Sequence, residues 1–200
     1  MIDNNEIGPK FKSVLELAKQ SSKNLIDYVN SSLEKAINAE EETSFITAST
    51  LRDKLLSLYK LQADSKEVKL HISAELENEE RITTLSSGDL INVIGNMISN
   101  AVKYSSKDEL VSVEIGYKDE DRDQYKVTIS DQGVGMNEEQ IKAISSLERN
   151  HSTEGTNNEK GFGIGLKEAL RTLTQHEGTF DIESAEGKGT TFTVYFPRKH

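Results

Sequence analysis

Three polar side chains recur at helical spacing within one largely apolar stretch, residues 89–104. At about 100° of rotation per residue, Asn96, Asn100 and Lys103 fall within about 60° of one another on a helix. Two amide oxygens are hard ligands that suit a divalent cation, and an ammonium group can pair with the phosphate that such a cation accompanies. An isolated Asn-x3-Asn pair usually marks a solvated helix face, so this interpretation depends on motifs elsewhere in the chain.

Three glycine-containing motifs supply that support. Residues 131–135, Asp-Gln-Gly-Val-Gly, follow a predicted strand, where a carboxylate can accept a hydrogen bond from an exocyclic amine and glycines let the backbone approach a flat ring. Residues 161–165, Gly-Phe-Gly-Ile-Gly, precede a predicted helix whose first N–H groups can receive phosphate oxygens. The surroundings of this second motif match neither a dinucleotide-binding fold nor a P-loop. Residues 187–192, Gly-Lys-Gly-Thr-Thr-Phe, join two predicted strands.

Hydrophobic periodicity predicts the elements that must hold these motifs. Helices are predicted over about 9–42, 49–63, 89–104 and 138–147, and a further helix is opened by residues 161–166 and stopped by Gly178. Strands are predicted around 68–72, 111–115, 125–129, 179–184 and 190–196. The charged segment 118–123 is expected to close a hairpin, and Ser86 or Ser87 to cap the third helix. One side of the second helix is expected to carry Leu51, Leu55, Leu58 and Tyr59.

The predicted helix at 9–42 carries a seam of apolar or small residues with a repeat near 3.5. Pro9 suits its first turn. Such a helix is expected to pack on another helix or on a second copy of itself, and the alternative is that it covers the downstream domain. The chain is therefore divided into a helical dimerisation-type segment at 1–45, a connecting helix at 46–66 and a folded domain at 67–200. The seam residues are Phe11, Leu15, Ala18, Ser22, Leu25, Val29, Leu33 and Ala36.

Composition argues against several classes of function. A formal net charge of −10 disfavours general nucleic-acid binding, because phosphate backbones favour basic surfaces. We expect no membrane span and no signal peptide, since the chain has no run of about 18 apolar residues and its first residues lack cationic and apolar blocks. The absence of cysteine excludes disulfides and thiol chemistry and fits a reducing compartment.

In this order, the asparagine-bearing helix and the three glycine motifs resemble the GHKL ATP-binding superfamily, and within it the catalytic domain of sensor histidine kinases. Residues 96–104 look like the Asn box of these kinases, and the three glycine motifs look like their successive glycine boxes. The resemblance covers about residues 65–197 and includes a lid at 137–160. It implies an α+β fold, a two-layer α/β sandwich of the Bergerat type with a mixed sheet, preceded here by the long N-terminal helix.

The resemblance also implies a role for each matching residue in binding ATP and Mg²⁺. Asn100 would ligate Mg²⁺, Asn96 would assist directly or through water, and Lys103 would reach the phosphates. Tyr104 would pack beside the adenine, and Asp131 would accept a hydrogen bond from its amine. Arg149 and Lys160 would be lid cations over the γ-phosphate, unless they are solvated loop charges. The remaining expected contacts are Gly133, Gly135 and Thr190 near the base, and Gly161, Phe162, Gly163, Ile164, Gly165 and Leu166 at the lid hinge and phosphates.

One position separates relatives within the superfamily. Gyrases, mismatch-repair ATPases and large chaperones carry a water-activating glutamate where this chain has Asn96. An amide has no basicity and cannot act as a general base. Phosphoryl transfer to a protein side chain is therefore favoured over hydrolysis, with Asn96 and Lys103 as the candidate catalytic residues and catalysis mainly by positioning and charge neutralisation.

The expected activity is that of a protein-histidine kinase domain in two-component signal transduction, although the phosphoacceptor motif of such kinases is absent. The 200 residues contain no His-Glu-x-x-x-Pro segment, and His71, His151, His176 and His200 are interpreted as structural. Residues 9–42 look like the second helix of the dimerisation hairpin. We therefore expect a fragment or short form that binds Mg-ATP and does not phosphorylate itself on histidine.

Two alternatives remain open. An anti-sigma-type serine kinase of the same superfamily keeps the asparagine and needs no hairpin histidine, and a non-catalytic module would only bind nucleotide or dimerise. The expected partners are ATP, a second copy of the chain through the N-terminal helix, and the receiver domain of a response regulator, with no nucleic acid and no membrane contact by these residues. The expected location is the cytoplasm, including the cytoplasmic part of a membrane-bound sensor.

Overall fold

A computed structural model of the chain describes residues 45–77, 80–82, 84–120, 122–149 and 164–199. All of them belong to one structural unit, residues 43–200. The predicted helix at 9–42 and the lid segment 150–160 lie outside the described residues.

Within these ranges the chain forms four helices and seven strands, and each predicted helix and strand is present close to its predicted bounds. The helices are α1 Ala48–Ser65, α2 Ser87–Tyr104, α3 Glu138–Arg149 and α4 Ile164–Gln175. The strands are β1 Ile46–Thr47, β2 Lys69–Ala74, β3 Arg81–Ile82, β4 Leu110–Tyr117, β5 Gln124–Asp131, β6 Thr179–Ser184 and β7 Thr190–Pro197. The strands β1 and β3 were not predicted, because two residues are too few to show alternation.

Five strands form one mixed sheet in the order β2-β4-β5-β7-β6. The strand β2 runs parallel to β4, and the other neighbours are antiparallel. The predicted hairpin at 118–123 joins β4 to β5, with Tyr117 opposite Tyr125. The strands β1 and β3 form a separate antiparallel pair.

The helices cover one face of the five-stranded sheet. Alternate residues of its central strands are buried there, as the strand periodicity requires. Helix α1 contacts β2, and helix α2 contacts β4 and β5. The three central strands, β4, β5 and β7, contribute the core side chains Val111, Val113, Ile115, Tyr125, Val127, Ile129, Phe192, Val194 and Phe196. This is the predicted two-layer α/β sandwich with a mixed sheet.

Helix α2 lies at the centre of this arrangement. Its first turn is capped by Ser86, whose hydroxyl accepts a hydrogen bond from the Asp89 N–H at 3.1 Å, and the Asp89 carboxylate complements the positive end of the helix dipole. An apolar stripe of α2 faces the core, since Ile91, Ile94 and Ile98 are all buried. This stripe fixes which face of α2 is left for polar residues.

The buried side of α1 is the predicted one. It follows the i, i+4 row through Leu51, Leu55, Tyr59 and Ala63. Leu58 lies at the margin of this row and is 42% exposed. The four predicted residues share one side of the helix, and Leu58 stays partly exposed because the apolar arc is wider than the surface that covers it.

Candidate functional site

A cavity of about 330 Å³ opens between α2, α3, the start of α4 and the adjoining ends of β5 and β7. Its walls are largely apolar and include Met97, Ile129, Met136 and Phe192. The polar side chains of the lining are Asn100, Tyr104, Asp131, Gln140 and Thr190. A mostly apolar cavity of this size with a few convergent polar groups is the usual form of a small-molecule site.

Asp131 stands at the end of β5, where its carboxylate is fixed by backbone donors. Its Oδ1 accepts hydrogen bonds from the N–H groups of Gly133 at 2.9 Å and Thr190 at 3.2 Å. Burial raises the pKa of Asp131 above its ordinary value, the two backbone hydrogen bonds oppose this, and the negative charge of Glu109 adds to it. Because both hydrogen bonds use Oδ1, Oδ2 is left for a donor in the cavity.

The glycines around Asp131 allow backbone segments to pack against one another. A Cβ on Gly133 would lie 2.7 Å from the carbonyl carbon of Tyr104. A Cβ on Gly135, which has a φ of 66°, would lie 2.7 Å from the carbonyl carbon of Ala185. Of these two glycines, Gly135 belongs to the cavity lining and Gly133 does not. The motif therefore seats the loop after β5 on the end of α2 and on the β6–β7 turn.

Asn96 faces the start of α4. Its Nδ2 donates to the Asn92 backbone carbonyl at 2.9 Å and to Asn92 Oδ1 at 2.7 Å. The Asn96 Oδ1 atom approaches Gly165 so closely that a Cβ there would overlap it. Asn92 thus holds the Asn96 amide with its oxygen towards the first turn of α4, where helix N–H groups are free.

The two amides of α2 fit a hard divalent cation. Asn96 lies outside the cavity lining and directs its oxygen towards Gly165 at the start of α4, since its Nδ2 is engaged by Asn92. Asn100, one helical turn further, lines the cavity. Neutral amide oxygens are ligands that Mg²⁺ and Ca²⁺ accept, and they leave room for phosphate oxygens and water to complete the coordination.

Of the other predicted site residues, some line the cavity and some lie outside its lining. Tyr104, 40% exposed, lies in the lining together with Leu166. Lys103 is exposed and outside the lining, with its Nζ 5.0 Å from the centre of the Tyr104 ring. Arg149 ends α3 and Ile164 begins α4. Lys160, Gly161, Phe162 and Gly163 lie outside the described residues.

Several residues of the site were not predicted. The apolar walls, such as Met97 and Phe192, have the same periodicity as core residues, and so no sequence signal separates them from the core. Asn92 could have been predicted from the sequence to lie beside Asn96, because Asn92, Asn96 and Asn100 follow one another at intervals of four residues. Gln140 enters the lining from α3, and its Oε1 accepts a hydrogen bond from the Asn137 N–H at 3.0 Å.

A profile of the family described as "Histidine kinase-, DNA gyrase B-, and HSP90-like ATPase" matches residues 86–200. Among curated proteins, the sensor histidine kinase ZraS of Salmonella typhimurium is 30% identical over 142 residues, which cover 71% of this chain and 28% of ZraS. The sensor histidine kinase WalK of Bacillus subtilis is 25% identical over 200 residues, which cover 98% of this chain and 32% of WalK. The chain thus spans about a third or less of these relatives.

Two solved structures share the fold. The catalytic domain of histidine kinase ThkA superposes with a TM-score of 0.61 at 16% identity and covers 78% of this chain and 97% of that domain. The Acinetobacter baumannii histidine kinase AdeS superposes with a TM-score of 0.59 at 17% identity and covers 100% of this chain and 88% of that structure. At these identities the likeness establishes the fold.

Proposed function

Because this chain belongs to the histidine kinase-, DNA gyrase B- and HSP90-like ATPase family, we propose that it is the ATP-binding catalytic domain of a sensor histidine kinase and that its cavity binds Mg-ATP. The observation that carries the proposal is that a carboxylate and an amide line the same cavity. The Asp131 carboxylate and the Asn100 amide both line the cavity, and the Asn96 amide lies one turn earlier on α2, outside the lining. ATP has a flat base with an amine at one end and a charged triphosphate at the other.

The base would lie at the Asp131 end. The carboxylate would accept a hydrogen bond from the adenine amine, and the apolar walls, among them Met97 and Ile129, would bury the ring faces. Tyr104 would pack beside the base, and Thr190 would contribute its hydroxyl next to Asp131. Gly133 and Gly135 would keep the supporting loop in place.

The phosphates would lie between α2 and the start of α4. Asn96 and Asn100 would hold Mg²⁺ through their side-chain oxygens, and the bound ion would neutralise phosphate charge. The first N–H groups of α4, beginning at Ile164 and allowed close by Gly165, would receive phosphate oxygens. Lys103, Arg149 and Lys160 are proposed as further phosphate contacts, with Gly161, Phe162 and Gly163 in the lid hinge and Leu166 at its base.

Phosphoryl transfer to a protein is proposed over hydrolysis because of the chemistry of Asn96. Its amide cannot remove a proton from water. The residues of this chain would orient the triphosphate and spread its charge, while the acceptor supplies the nucleophile. We propose that the acceptor is a histidine on a dimerisation hairpin outside these 200 residues, which contain no His-Glu-x-x-x-Pro segment.

The proposed partners follow from this role. A second copy of the chain would associate through the seam at 9–42, and a receiver domain of a response regulator would take the phosphoryl group from the histidine. Among the described residues, no helix has both the length and the apolar content needed to span a bilayer. We place the domain in the cytoplasm, where ATP is abundant.

A titration of the full chain with ATP, in Mg²⁺ and again in EDTA, tests the binding step. We expect binding that is tighter with Mg²⁺, and we expect Asn100→Ala to lower affinity about tenfold or more in Mg²⁺ with little change in EDTA. Gln175→Ala removes an exposed amide at the end of α4 and is the matched control. No binding of ATP, or a loss in N100A that is equal with and without Mg²⁺, would contradict the assignment.

A transfer assay tests the reaction. The chain is incubated with labelled ATP alone, with a separately made histidine-containing hairpin, or with a serine-containing antagonist protein. We expect acid-labile phosphate on the hairpin and none on the chain itself. Label on the serine protein would favour the anti-sigma-type kinase, and binding without any transfer would favour a nucleotide-sensing module.

A further inference from the structure

We propose that Ser184 fixes the direction of the Thr190 hydroxyl proton and so makes the base end of the cavity select an amino group over an oxo group. Ser184 would be a positioning residue, because it acts on the ligand through Thr190. The inference rests on the proposed function, since it concerns which purine nucleoside triphosphate the cavity prefers.

Ser184 has one hydroxyl proton and three hydrogen-bond partners. The Met136 N–H donates to Ser184 Oγ at 2.8 Å, and Ser184 Oγ donates to the Gly189 carbonyl at 2.9 Å. The third partner is Thr190 Oγ1 at 2.9 Å, where either hydroxyl can be the donor by geometry. Because a carbonyl only accepts, the Ser184 proton is assigned to Gly189. Thr190 must then donate its own proton to Ser184.

This assignment determines what Thr190 presents to the ligand. In the sheet register Thr190 lies between Asp131 and Ser184, and it lines the cavity. With its proton directed to Ser184, its oxygen has only lone pairs to offer on the other side. The ionised Asp131 carboxylate is also an acceptor. The base end therefore presents two neighbouring acceptors.

Two acceptors favour a ligand edge that donates. The 6-amino group of adenine carries two N–H bonds, so it can satisfy acceptors at this position. Hypoxanthine has an oxo group there, whose lone pairs would oppose those of Asp131 and Thr190. A site with buried hydrogen-bonding groups rejects an analogue that leaves them unpaired.

The turn that follows Ser184 holds this geometry in place. Gly189 has a φ of 82°, and a Cβ there would lie 2.8 Å from the Asp131 carbonyl carbon. The Gly187 N–H donates to the Val134 carbonyl at 2.8 Å. The Gly189 carbonyl that takes the Ser184 proton is thus part of a turn fastened to the Asp131 loop at two points.

Affinities of the full chain for ATP and ITP in Mg²⁺ test the proposal, because these nucleotides differ only in the amino or oxo group and the adjoining ring proton. In Ser184→Ala the Thr190 proton is released and can donate into the cavity. We expect ITP to bind more tightly than it binds the unmodified chain and the preference for ATP to fall about tenfold. A residue that merely supported the turn would weaken both nucleotides by the same factor.

Three further variants complete the test. Ser184→Thr keeps the hydroxyl and should keep the preference. In a Thr190→Val background, which has no hydroxyl to orient, Ser184→Ala should leave the ATP-to-ITP ratio unchanged. Ser184→Cys fills the same space with a weak hydrogen-bonding group, and it should lower the preference even if the alanine variant does not fold.

The outcomes separate this inference from the proposed function. An unchanged ATP-to-ITP ratio in S184A or S184C, with ATP still bound, would overturn the role of Ser184 alone. Failure of the unmodified chain to bind ATP would overturn the proposed function and this inference with it.

Discussion

At the residue scale, Asp131 shows a conflict between binding and stability. Its carboxylate is partly removed from water, and the two backbone donors compensate this only in part, so burial leaves its pKa raised. A group whose folded-state pKa is raised favours folding when it is protonated. Its contribution is present below the unfolded pKa near 3.8 and is lost as the pH rises through the folded value.

Asp131→Asn should therefore separate the two properties. The amide keeps an acceptor for the Gly133 and Thr190 N–H groups but offers its N–H bonds to a base amine that also donates. We expect ATP affinity to fall by about tenfold to a hundredfold. In the absence of nucleotide we expect a higher melting temperature at neutral pH, with the gain shrinking as the pH falls through the folded pKa of Asp131.

Calorimetric titration and thermal unfolding across pH measure these effects. Asp123→Asn, which removes an exposed carboxylate just before the other end of β5, is the control and should change neither affinity nor the pH dependence of melting. A melting temperature lowered by D131N at neutral pH would show that the Asp131 hydrogen bonds outweigh the cost of its burial.

At the element scale, the approach of α4 to α2 depends on Gly165. A Cβ at this position would overlap Asn96 Oδ1. Gly165→Ala should destabilise the fold by about 1–3 kcal/mol, as overpacking does. In an Asn96→Ala background the obstructing oxygen is gone, and the same substitution should stabilise by up to about 1 kcal/mol through helix propensity. Denaturant unfolding of the four proteins measures this reversal of sign, and an effect of equal sign in both backgrounds would show that the contact does not limit packing.

The C-terminal end of α2 is capped by a residue distant in sequence. Lys66 Nζ donates to the carbonyls of Val102 at 3.0 Å, Lys103 at 2.6 Å and Ser105 at 2.8 Å. A cation at the negative end of a helix both pairs with free carbonyls and complements the dipole. Lys66→Met should lower the free energy of unfolding by about 1–2 kcal/mol.

The matched control for this cap is Lys107→Met. Lys107 forms an ion pair with Glu67 at 2.6 Å, and both side chains are largely exposed. Such exposed pairs contribute less than about 1 kcal/mol, so we expect a smaller change. Equal effects of the two substitutions in urea unfolding would mean that the three carbonyl contacts of Lys66 add nothing beyond surface charge.

The sequence predicted the helices and strands better than it predicted how they meet. Alternation marked β4 and β5, and the apolar stripe marked α2, because local spacing alone decides which face is buried. The parallel pairing of β2 with β4 and the β1–β3 pair depend on contacts between distant segments. The Lys66 cap belongs to the same class, since 36 residues separate it from Val102.

The polar groups of the cavity could also be predicted better than its walls. Asn100 and Asp131 stood out because polar residues and glycines at fixed spacing depart from core periodicity, whereas Thr190 was expected only from the resemblance to the GHKL superfamily; all three line the cavity. Met97, Ile129 and Phe192 face the cavity with the same spacing as residues that face the core. The resemblance to the GHKL superfamily was confirmed by the family match over 86–200, while the roles of the individual residues stay predictions.

At the scale of the whole molecule, the predicted division of the chain separates nucleotide binding from self-association. All the proposed base contacts and both amides of α2 lie between residues 96 and 192. The seam at 9–42 contains none of them. A change in the seam should therefore alter the oligomeric state without altering the affinity for ATP.

Glutamates at two seam positions, Leu25→Glu with Val29→Glu, test this separation in the full chain. A charge within an apolar helix seam must be desolvated when two copies pack, so we expect the dimer to dissociate. Gln20→Glu with Ser31→Glu adds the same charge on the opposite side of the predicted helix and should leave the dimer intact. Light scattering measures mass, and nucleotide titration of the same samples should give equal ATP affinities. A monomeric unmodified chain would contradict the dimerisation role, and a loss of ATP binding in the seam variant alone would show that the two parts depend on each other.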